Sequence, residues 1–322
     1  MQQKSQRAAN THVAGVRKLR IDDDRAGQRI DNFLRRELAG VPKSRLYRLL
    51  RRGEVRVNGG RVRADYRLQE GDEVRIPPVR IRNDAAAPAD GLVANIVDRV
   101  LYEDKSLIVI DKPAGVAVHG GSGVSHGVIE LLRHARPELR DLSLVHRLDR
   151  ETSGCLVIAK RRSALRTLHA KVREGLVEKN YLGLAVGDWQ LGEQLIDKPL
   201  FVQHRKGGER HVIVRSDGKP AQTRVRLSRS YGHFSLLQCV PLTGRTHQIR
   251  VHLQSIGFPL VGDERYGNAE ENRRARNCGL HRLFLHAQSI AFPDDSGNEL
   301  HFTSPLADDL ERFLIAGVAG HS

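Results

Sequence analysis

Apolar and polar positions along the chain follow one pattern before residue 80 and another after it. In the first part, apolar residues recur at helical spacing in 30–38 and again in 46–50. Val55 and Val57 then alternate with polar residues and lead into Asn58-Gly59, a dipeptide typical of a tight hairpin turn. This pattern predicts two short helices followed by a small twisted sheet.

Strand patterns dominate the second part of the chain. Short apolar or alternating runs predict strands at 107–110, 116–118, 155–158, 181–186, 222–227, 234–240, 284–290 and 300–302. Helical patterns interleave at 128–134, 163–172, 246–256 and 307–315. Because strand and helix do not alternate regularly, we predict an α+β fold with a mixed, largely antiparallel sheet and helices packed against it.

Two segments of low apolar content divide the chain into domains. Residues 1–18 show no apolar periodicity and predict a disordered, mildly basic arm. Residues 81–94 have the Ala-, Pro- and Asp-rich composition of a linker. The predicted domains are therefore 19–80 and 95–322.

Positive charge is concentrated in the first domain. The chain has 53 Lys and Arg against 38 Asp and Glu, a net charge of +15. On the predicted helix 43–52, Arg45, Arg48 and Arg52 share one face and leave the leucines on the other. A solvated charged face is the alternative, but this density of charge favours a nucleic-acid contact. The candidate RNA-binding residues are Lys43, Arg45, Arg48, Arg51 and Arg52.

The sequence argues against several other classes of protein. Three widely separated cysteines indicate free thiols in a reducing compartment, and no apolar stretch is long enough to form a signal peptide or a membrane span. We therefore expect a cytoplasmic protein with no membrane partner. No metal-binding spacing, phosphate-binding loop or nucleophilic serine elbow is present, so we expect neither a metal nor a cofactor.

The most informative segment is 146–154, His-Arg-Leu-Asp-Arg-Glu-Thr-Ser-Gly. It places Asp149 between Arg147 and Arg150. A nearby guanidinium favours the ionised carboxylate, which is a poor general acid but a good nucleophile or base. By residue types alone, an ordinary ion pair at a strand end explains the segment about as well.

Other blocks accompany this segment in a fixed order: 102–104, 112–115, 179–182, 242–250 and 283–287. Together they resemble the motifs of the RluA family of pseudouridine synthases. The resemblance covers residues 95–315 and implies a metal- and cofactor-independent isomerisation of uridine in RNA, with the target base flipped out of its helix. The 19–80 domain resembles the S4 RNA-binding domain.

The resemblance also implies roles for five residues. Asp149 is the catalytic carboxylate, which either attacks C1′ or abstracts the 2′ proton. Tyr181 stacks on the target base, Arg245 pairs with Asp149, Ile249 packs beside the uracil, and Arg147 fills the gap left by the flipped nucleotide. Without the resemblance, Tyr181 is equally explained as a core aromatic residue on a strand, and Arg245 as part of a salt bridge at a helix start.

Within the family, segments 27–34 and 118–123 most resemble the RluC type, which acts on several uridines in large-subunit (23S) ribosomal RNA. The expected partner is therefore ribosomal RNA, bound by a monomer. Two alternatives stay open. The enzyme could act on the RluD-type uridines or on another rRNA or tRNA, or the protein could be a non-catalytic S4-type ribosome-assembly factor.

Overall fold

The computed structural model describes residues 11–38, 40–82, 88–120, 126–139, 141–204 and 210–317. The chain divides into two compact units, Met1–Ala87 and Pro88–Ser322. The division lies inside the predicted linker 81–94, but both ends of that segment are ordered: residues 81–82 end a strand and a helix begins at Asp90.

Among its described residues, the first unit contains two α-helices and five short strands: β1 Thr11–Ala14, β2 Arg17–Arg20, α1 Ile30–Glu37, α2 Lys43–Arg52, β3 Arg56–Val57, β4 Glu73–Ile76 and β5 Val79–Arg82. Both helices appear where the periodicity predicts them. Strands β2, β4 and β3 form a small antiparallel sheet in that order. The leucines of α2 and residues such as Phe33 and Val74 form a single core, so the unit has its own hydrophobic interior.

The prediction of a disordered arm over 1–18 is wrong for its second half. Residues 11–14 form β1, which pairs with β5, and residues 17–20 form β2, which pairs with β4. Both pairings join segments more than fifty residues apart in the chain, so a local search for periodicity does not detect them. The first ten residues of the predicted arm lie outside the described residues.

The second unit contains twelve strands and six α-helices among its described residues. The strands are β6 Val100–Glu103, β7 Leu107–Lys112, β8 Ser143–Leu144, β9 Ser153–Ala159, β10 Glu178–Val186, β11 Gln194–Asp197, β12 Leu200–His204, β13 Arg210–Val214, β14 Gln222–Tyr231, β15 Phe234–Pro241, β16 Leu285–Pro293 and β17 Glu299–Thr303. The helices are α3 Asp90–Val97, α4 Val128–Ala135, α5 Arg162–Arg173, α6 Gln248–Gln254, α7 Ala269–Asn277 and α8 Asp308–Arg312.

A ten-stranded sheet runs through this unit in the order β11-β14-β15-β10-β16-β9-β7-β6, with β17 beside β16 and β8 beside β9. Among the described strands only β16 and β9 pair in parallel. The predicted mixed, largely antiparallel sheet is therefore confirmed. The predicted strand at 116–118 is wrong, because residues 116–117 are irregular and lead from the turn at 114–115 into a bend at 118–119.

The centre of the sheet determines where the segment 146–154 can lie. This segment leads into β9, which lies between β16 and β7 in the sheet, with β10 on the far side of β16. Gly154 has φ +109°, and a Cβ at this position would come within 2.2 Å of the Ala287 carbonyl oxygen on β16. Only glycine allows the two strands to approach this closely. The glycine therefore holds the segment against the middle of the sheet.

Candidate active site

Asp149 lies in the connection between β8 and β9 and borders two cavities. The smaller one, about 540 Å³, is lined by all five site residues that the sequence singles out: Arg147, Asp149, Tyr181, Arg245 and Ile249. These residues come from the β8–β9 connection, from β10, and from α6 and the turn before it. The larger cavity, about 930 Å³, lies against the same carboxylate and is lined by His119, His247, Arg250 and others.

The arginine that approaches Asp149 is Arg250. Its Nη1 lies 3.4 Å from Asp149 Oδ2. Arg245, which was predicted to form this pair, is exposed and donates from Nε to the Pro220 carbonyl at 3.0 Å. The predicted pairing of Arg245 with Asp149 is therefore wrong. The turn before α6 directs Arg245 outward, whereas Arg250 lies within the buried helix.

Arg250 is itself held by a buried carboxylate. Its Nε and Nη2 donate to the two oxygens of Asp263 at 2.7 and 2.8 Å, and the Asp263 side chain is fully buried. Burial opposes ionisation of Asp263, but hydrogen bonds from Arg250 and from the backbone N–H groups of Arg265 and Tyr266 hold its pKa below the usual value. The ion pair fixes the guanidinium in one orientation.

Tyr181 forms the buried wall of the smaller cavity. It lies on β10, opposite Cys239 of β15 and Ala287 of β16, and only 8% of its surface is exposed. Burial, with a contribution from the charge of Asp149, raises the pKa of its phenol, so the hydroxyl is protonated at neutral pH. Ile249, which is 6% exposed, lies at the start of α6 and lines the same cavity.

Arg147 stands at the open side of both cavities. It is exposed, and its side chain forms no hydrogen bond or ion pair with any described residue. A long cationic side chain that pairs with no described residue and lies two residues from a carboxylate is available to contact a bound nucleic acid.

Two polar groups that the sequence did not identify fix the backbone around Asp149. The buried Lys112 ammonium donates to the carbonyls of Pro113, Val116 and Arg150 at 2.8, 2.8 and 3.1 Å. Burial lowers its pKa to about 7. His146 accepts the Val157 N–H at Nε2, and burial lowers its pKa to about 3, so it is neutral. These contacts tie both ends of the Asp149 segment to the sheet.

The predicted RNA-binding face of the first unit is present on α2. Leu46, Leu49 and Leu50 are buried, and Lys43, Arg48, Arg51 and Arg52 are exposed while Arg45 is half-buried. The Lys43 ammonium lies 5.4 Å from the centre of the Tyr47 ring. The side chains of the four arginines form no hydrogen bond or ion pair with described residues, so their donors are available to an external anion.

Within the described part of the chain, no three His, Cys, Asp or Glu side chains cluster as they would at a metal site. No helix there has both the length and the apolar character needed to cross a bilayer.

Comparison with known families assigns both units. The family described as RNA pseudouridylate synthase matches residues 106–255, and the S4 domain matches residues 28–74. The first range contains Asp149, Tyr181, Ile249 and Arg250, and the second contains α2.

Individual proteins extend the similarity to nearly the whole chain. "Ribosomal large subunit pseudouridine synthase C" of Escherichia coli O157:H7 is 50% identical over 310 residues, which cover 94% of this chain and 97% of that protein. The protein of the same name from Escherichia coli strain K12 is 49% identical with the same coverage. Among solved structures, "Human RNA Pseudouridylate Synthase Domain Containing 1" is similar with a TM-score of 0.53 and 27% identity, covering 64% of this chain and 82% of that one.

Proposed function

The chain belongs to the RNA pseudouridylate synthase family and carries an N-terminal S4 domain, and on that premise we propose that it converts specific uridines of large-subunit ribosomal RNA to pseudouridine. The observation that carries the proposal is the cavity of about 540 Å³ in which Asp149 faces a space bordered by Tyr181 and Ile249. Such a pocket offers the Asp149 carboxylate, an aromatic ring and an aliphatic side chain to a flat, uncharged base.

Pseudouridine formation needs little more than a carboxylate and a pocket that holds the base. The N1–C1′ bond of the uridine breaks, the uracil turns within the pocket, and a C5–C1′ bond forms while the C5 proton leaves and N1 gains a proton. No electrons are gained or lost overall. By the family resemblance, Asp149 is the carboxylate that acts at the ribose. The Tyr181 ring and Ile249 then hold the detached base, so that the same two fragments recombine.

Base flipping adds a cost that the site can offset. Extruding a nucleotide from a helix costs a few kcal/mol, and stacking on an aromatic ring returns about 1–3 kcal/mol. We propose that Tyr181 provides this stacking. We also propose that Arg147, which is exposed and pairs with none of the residues that the structure describes, occupies the gap that the nucleotide leaves.

Substitutions of Tyr181 separate stacking from proton transfer. Tyr181→Phe keeps the ring and removes the hydroxyl, whereas Tyr181→Leu removes both. We expect Tyr181→Leu to weaken productive binding by about 1–3 kcal/mol in single-turnover assays on an rRNA fragment. A loss of kcat in Tyr181→Phe of about 10²–10⁴-fold would assign proton transfer to the hydroxyl. If both variants behave like the wild type, Tyr181 is only a core residue and its proposed role fails.

The S4 unit supports an RNA of substantial size as the substrate. The arginines of α2, which pair with no described residue, favour a contact with RNA phosphates, and the names of the curated relatives point to ribosomal RNA. Arg45, Arg48, Arg51 and Arg52, with Lys43, would contact phosphates and thereby position the RNA, while the catalytic unit selects the nucleotide.

Removing this face should change the salt dependence of binding. In the variant with Arg45, Arg48 and Arg52 replaced by Ala, we expect weaker binding of an rRNA fragment. The slope of the logarithm of the association constant against the logarithm of the salt concentration should decrease in magnitude by about 0.7–0.9 for each phosphate that the protein no longer neutralises. Filter binding at several salt concentrations measures both quantities.

A matched control removes the same amount of charge elsewhere. Arg273, Arg274 and Arg276 lie on α7, where Arg274 pairs with Glu270 and Arg276 with Glu264. Replacing these three by Ala should leave the slope nearly unchanged. Equal slopes in the two triple variants would mean that the α2 face is merely solvated.

The substrate is tested by mapping pseudouridines in RNA from a strain that lacks the protein. We expect specific pseudouridines to disappear from large-subunit rRNA and to return with the wild-type gene but not with Asp149→Asn. Loss confined to tRNA would overturn the proposed substrate. An RNA with every pseudouridine intact would favour a non-catalytic assembly factor.

The proposal also concerns where and in what form the protein acts. We propose that the protein acts as a monomer, which is supported by the fact that Asp149, Tyr181, Ile249 and Arg250 of a single chain line one cavity. Because the proposed substrate is ribosomal RNA, we propose that the reaction takes place in the cytoplasm.

A further inference from the structure

The two oxygens of Asp149 have different surroundings. Arg250 Nη1 lies 3.4 Å and His247 Nε2 lies 3.9 Å from the same oxygen, Oδ2. No described residue forms a hydrogen bond to Oδ1. One oxygen therefore faces the positive and polar side chains of α6 and the turn before it, and the other is free to face a substrate.

His247 is held by a chain of hydrogen bonds that begins on the β12–β13 hairpin. The Val212 N–H donates to Tyr266 Oη at 3.0 Å, and Tyr266 Oη lies 2.8 Å from His247 Nδ1. The phenol has one proton to donate, and donating it to Nδ1 satisfies every group in the chain. Nδ1 is then an acceptor, which leaves the imidazole proton on Nε2, the nitrogen that faces Asp149.

The charge state of His247 agrees with this tautomer. Burial lowers its pKa to about 4, with Arg250 and Arg265 acting in the same direction and Asp149 and Asp263 acting against them. The ring is therefore neutral at pH 7, and it can donate through Nε2 without adding a second full positive charge beside Arg250.

The backbone of His247 is in an unfavourable conformation. Its φ is +53° and ψ is +21°, so the residue just before α6 lies in the left-handed region. Residues other than glycine adopt this conformation uncommonly, although histidine does so more often than most, and it persists where the surrounding structure enforces it, often at functional sites. Here the conformation places the ring between Tyr266 and Asp149.

We propose that His247, held by Tyr266 as the Nε2–H tautomer, is a positioning residue that fixes Asp149 Oδ2 together with Arg250 and so leaves Oδ1 as the oxygen that acts on the ribose. This inference rests on the proposed function. A shift of about 1 Å would bring Nε2–H within hydrogen-bonding distance of Oδ2 when RNA binds.

Two substitutions at position 247 distinguish this role from a structural one. Asparagine tolerates the left-handed backbone, but its amide reaches only the position of Nδ1 and offers Asp149 no donor. Glutamine places an N–H where Nε2 was, but it is strained in this backbone. If His247 positions Asp149, His247→Gln should keep more kcat than His247→Asn although it is the less stable variant. We expect His247→Asn to lose about tenfold in kcat, with KM nearly unchanged. Asparagine equal to or better than glutamine in kcat would overturn the proposal.

The tautomer can be read without substrate. In the ¹⁵N-histidine-labelled full chain, NMR should show His247 protonated on Nε2 and not on Nδ1.

Tyr266→Phe keeps the ring contacts with His247 and His211 but removes the hydroxyl, so the tautomers should mix and kcat should fall by about three- to tenfold. The control Tyr231→Phe, which removes a hydroxyl far from the site, should change neither. An Nδ1–H tautomer in the wild type would refute the inference whether or not the protein makes pseudouridine. If the wild type is inactive while His247 has the predicted tautomer, it is the proposed function that fails.

Discussion

Asp149→Asn should abolish pseudouridine formation and leave RNA affinity within about twofold of the wild type. The amide keeps the size and shape of the carboxylate, but it lacks the charge and the nucleophilicity that the reaction requires. Binding rests mainly on phosphate contacts made by side chains elsewhere, so affinity should survive. Single-turnover assays for activity and filter binding for affinity measure the two quantities separately.

Folding is the control for this variant. Asp149 is only partly buried, and its neighbour Arg250 keeps the pair with Asp263. The melting temperature of Asp149→Asn should therefore stay close to that of the wild type. A variant that folds normally and still isomerises uridine at near wild-type rate would contradict the catalytic role of Asp149.

Arg250→Met should be the most destabilising single change in the site. It removes the partner of Asp263, whose side chain is fully buried, and leaves an unpaired carboxylate in the interior. Breaking a buried ion pair in this way costs about 3–5 kcal/mol of unfolding free energy. It also removes the cation beside Asp149, so any protein that folds should turn over slowly. Urea unfolding followed by circular dichroism measures the loss.

Arg245→Met is the matched control, because it removes the same group five residues earlier on an exposed side chain. Its cost should stay within about 0.5 kcal/mol. Arg250→Lys is a second variant for the case that Arg250→Met does not fold. It keeps a positive charge and should retain part of the stability, but it should lose the bidentate contact with Asp263. A larger loss of unfolding free energy from Arg245→Met than from Arg250→Met would instead support the pairing of Arg245 with Asp149 that the sequence suggested.

The sequence was informative where local pattern decides the structure. The leucine spacing in 43–52 predicts α2 with the bounds that it has, and the apolar runs predict β9, which follows Asp149, and β10, which carries Tyr181. The family resemblance then identified the residues that line the cavity, because its motifs carry spatial information that periodicity does not.

Predictions from the sequence are wrong where two residues of the same type occur in one motif, or where the interacting partner lies far away in the chain. Arg245 and Arg250 occur in one motif, and only the fold shows which of them is buried. One signal was present: an arginine within the apolar helix 249–253 needs a buried carboxylate. That carboxylate, Asp263, lies in a loop with no distinctive pattern.

The strand order, the parallel pairing of β16 with β9 and the strands β1 and β2 depend on pairings between segments far apart in the chain. The chain of hydrogen bonds from Val212 to His247 depends on such long-range packing too. A single sequence contains no local pattern that specifies which of its strands become neighbours.

Release of tritium from C5 of uridine is the direct test of whether Asp149 catalyses pseudouridine formation. Joining C5 to C1′ displaces the C5 hydrogen, so a 23S rRNA transcript made with [5-³H]uridine should lose tritium to water in proportion to the pseudouridine formed. We expect release with the purified wild-type protein in buffer without added metal ions or cofactors, and none with Asp149→Asn. No release from the wild type, or equal release from both proteins, would contradict it.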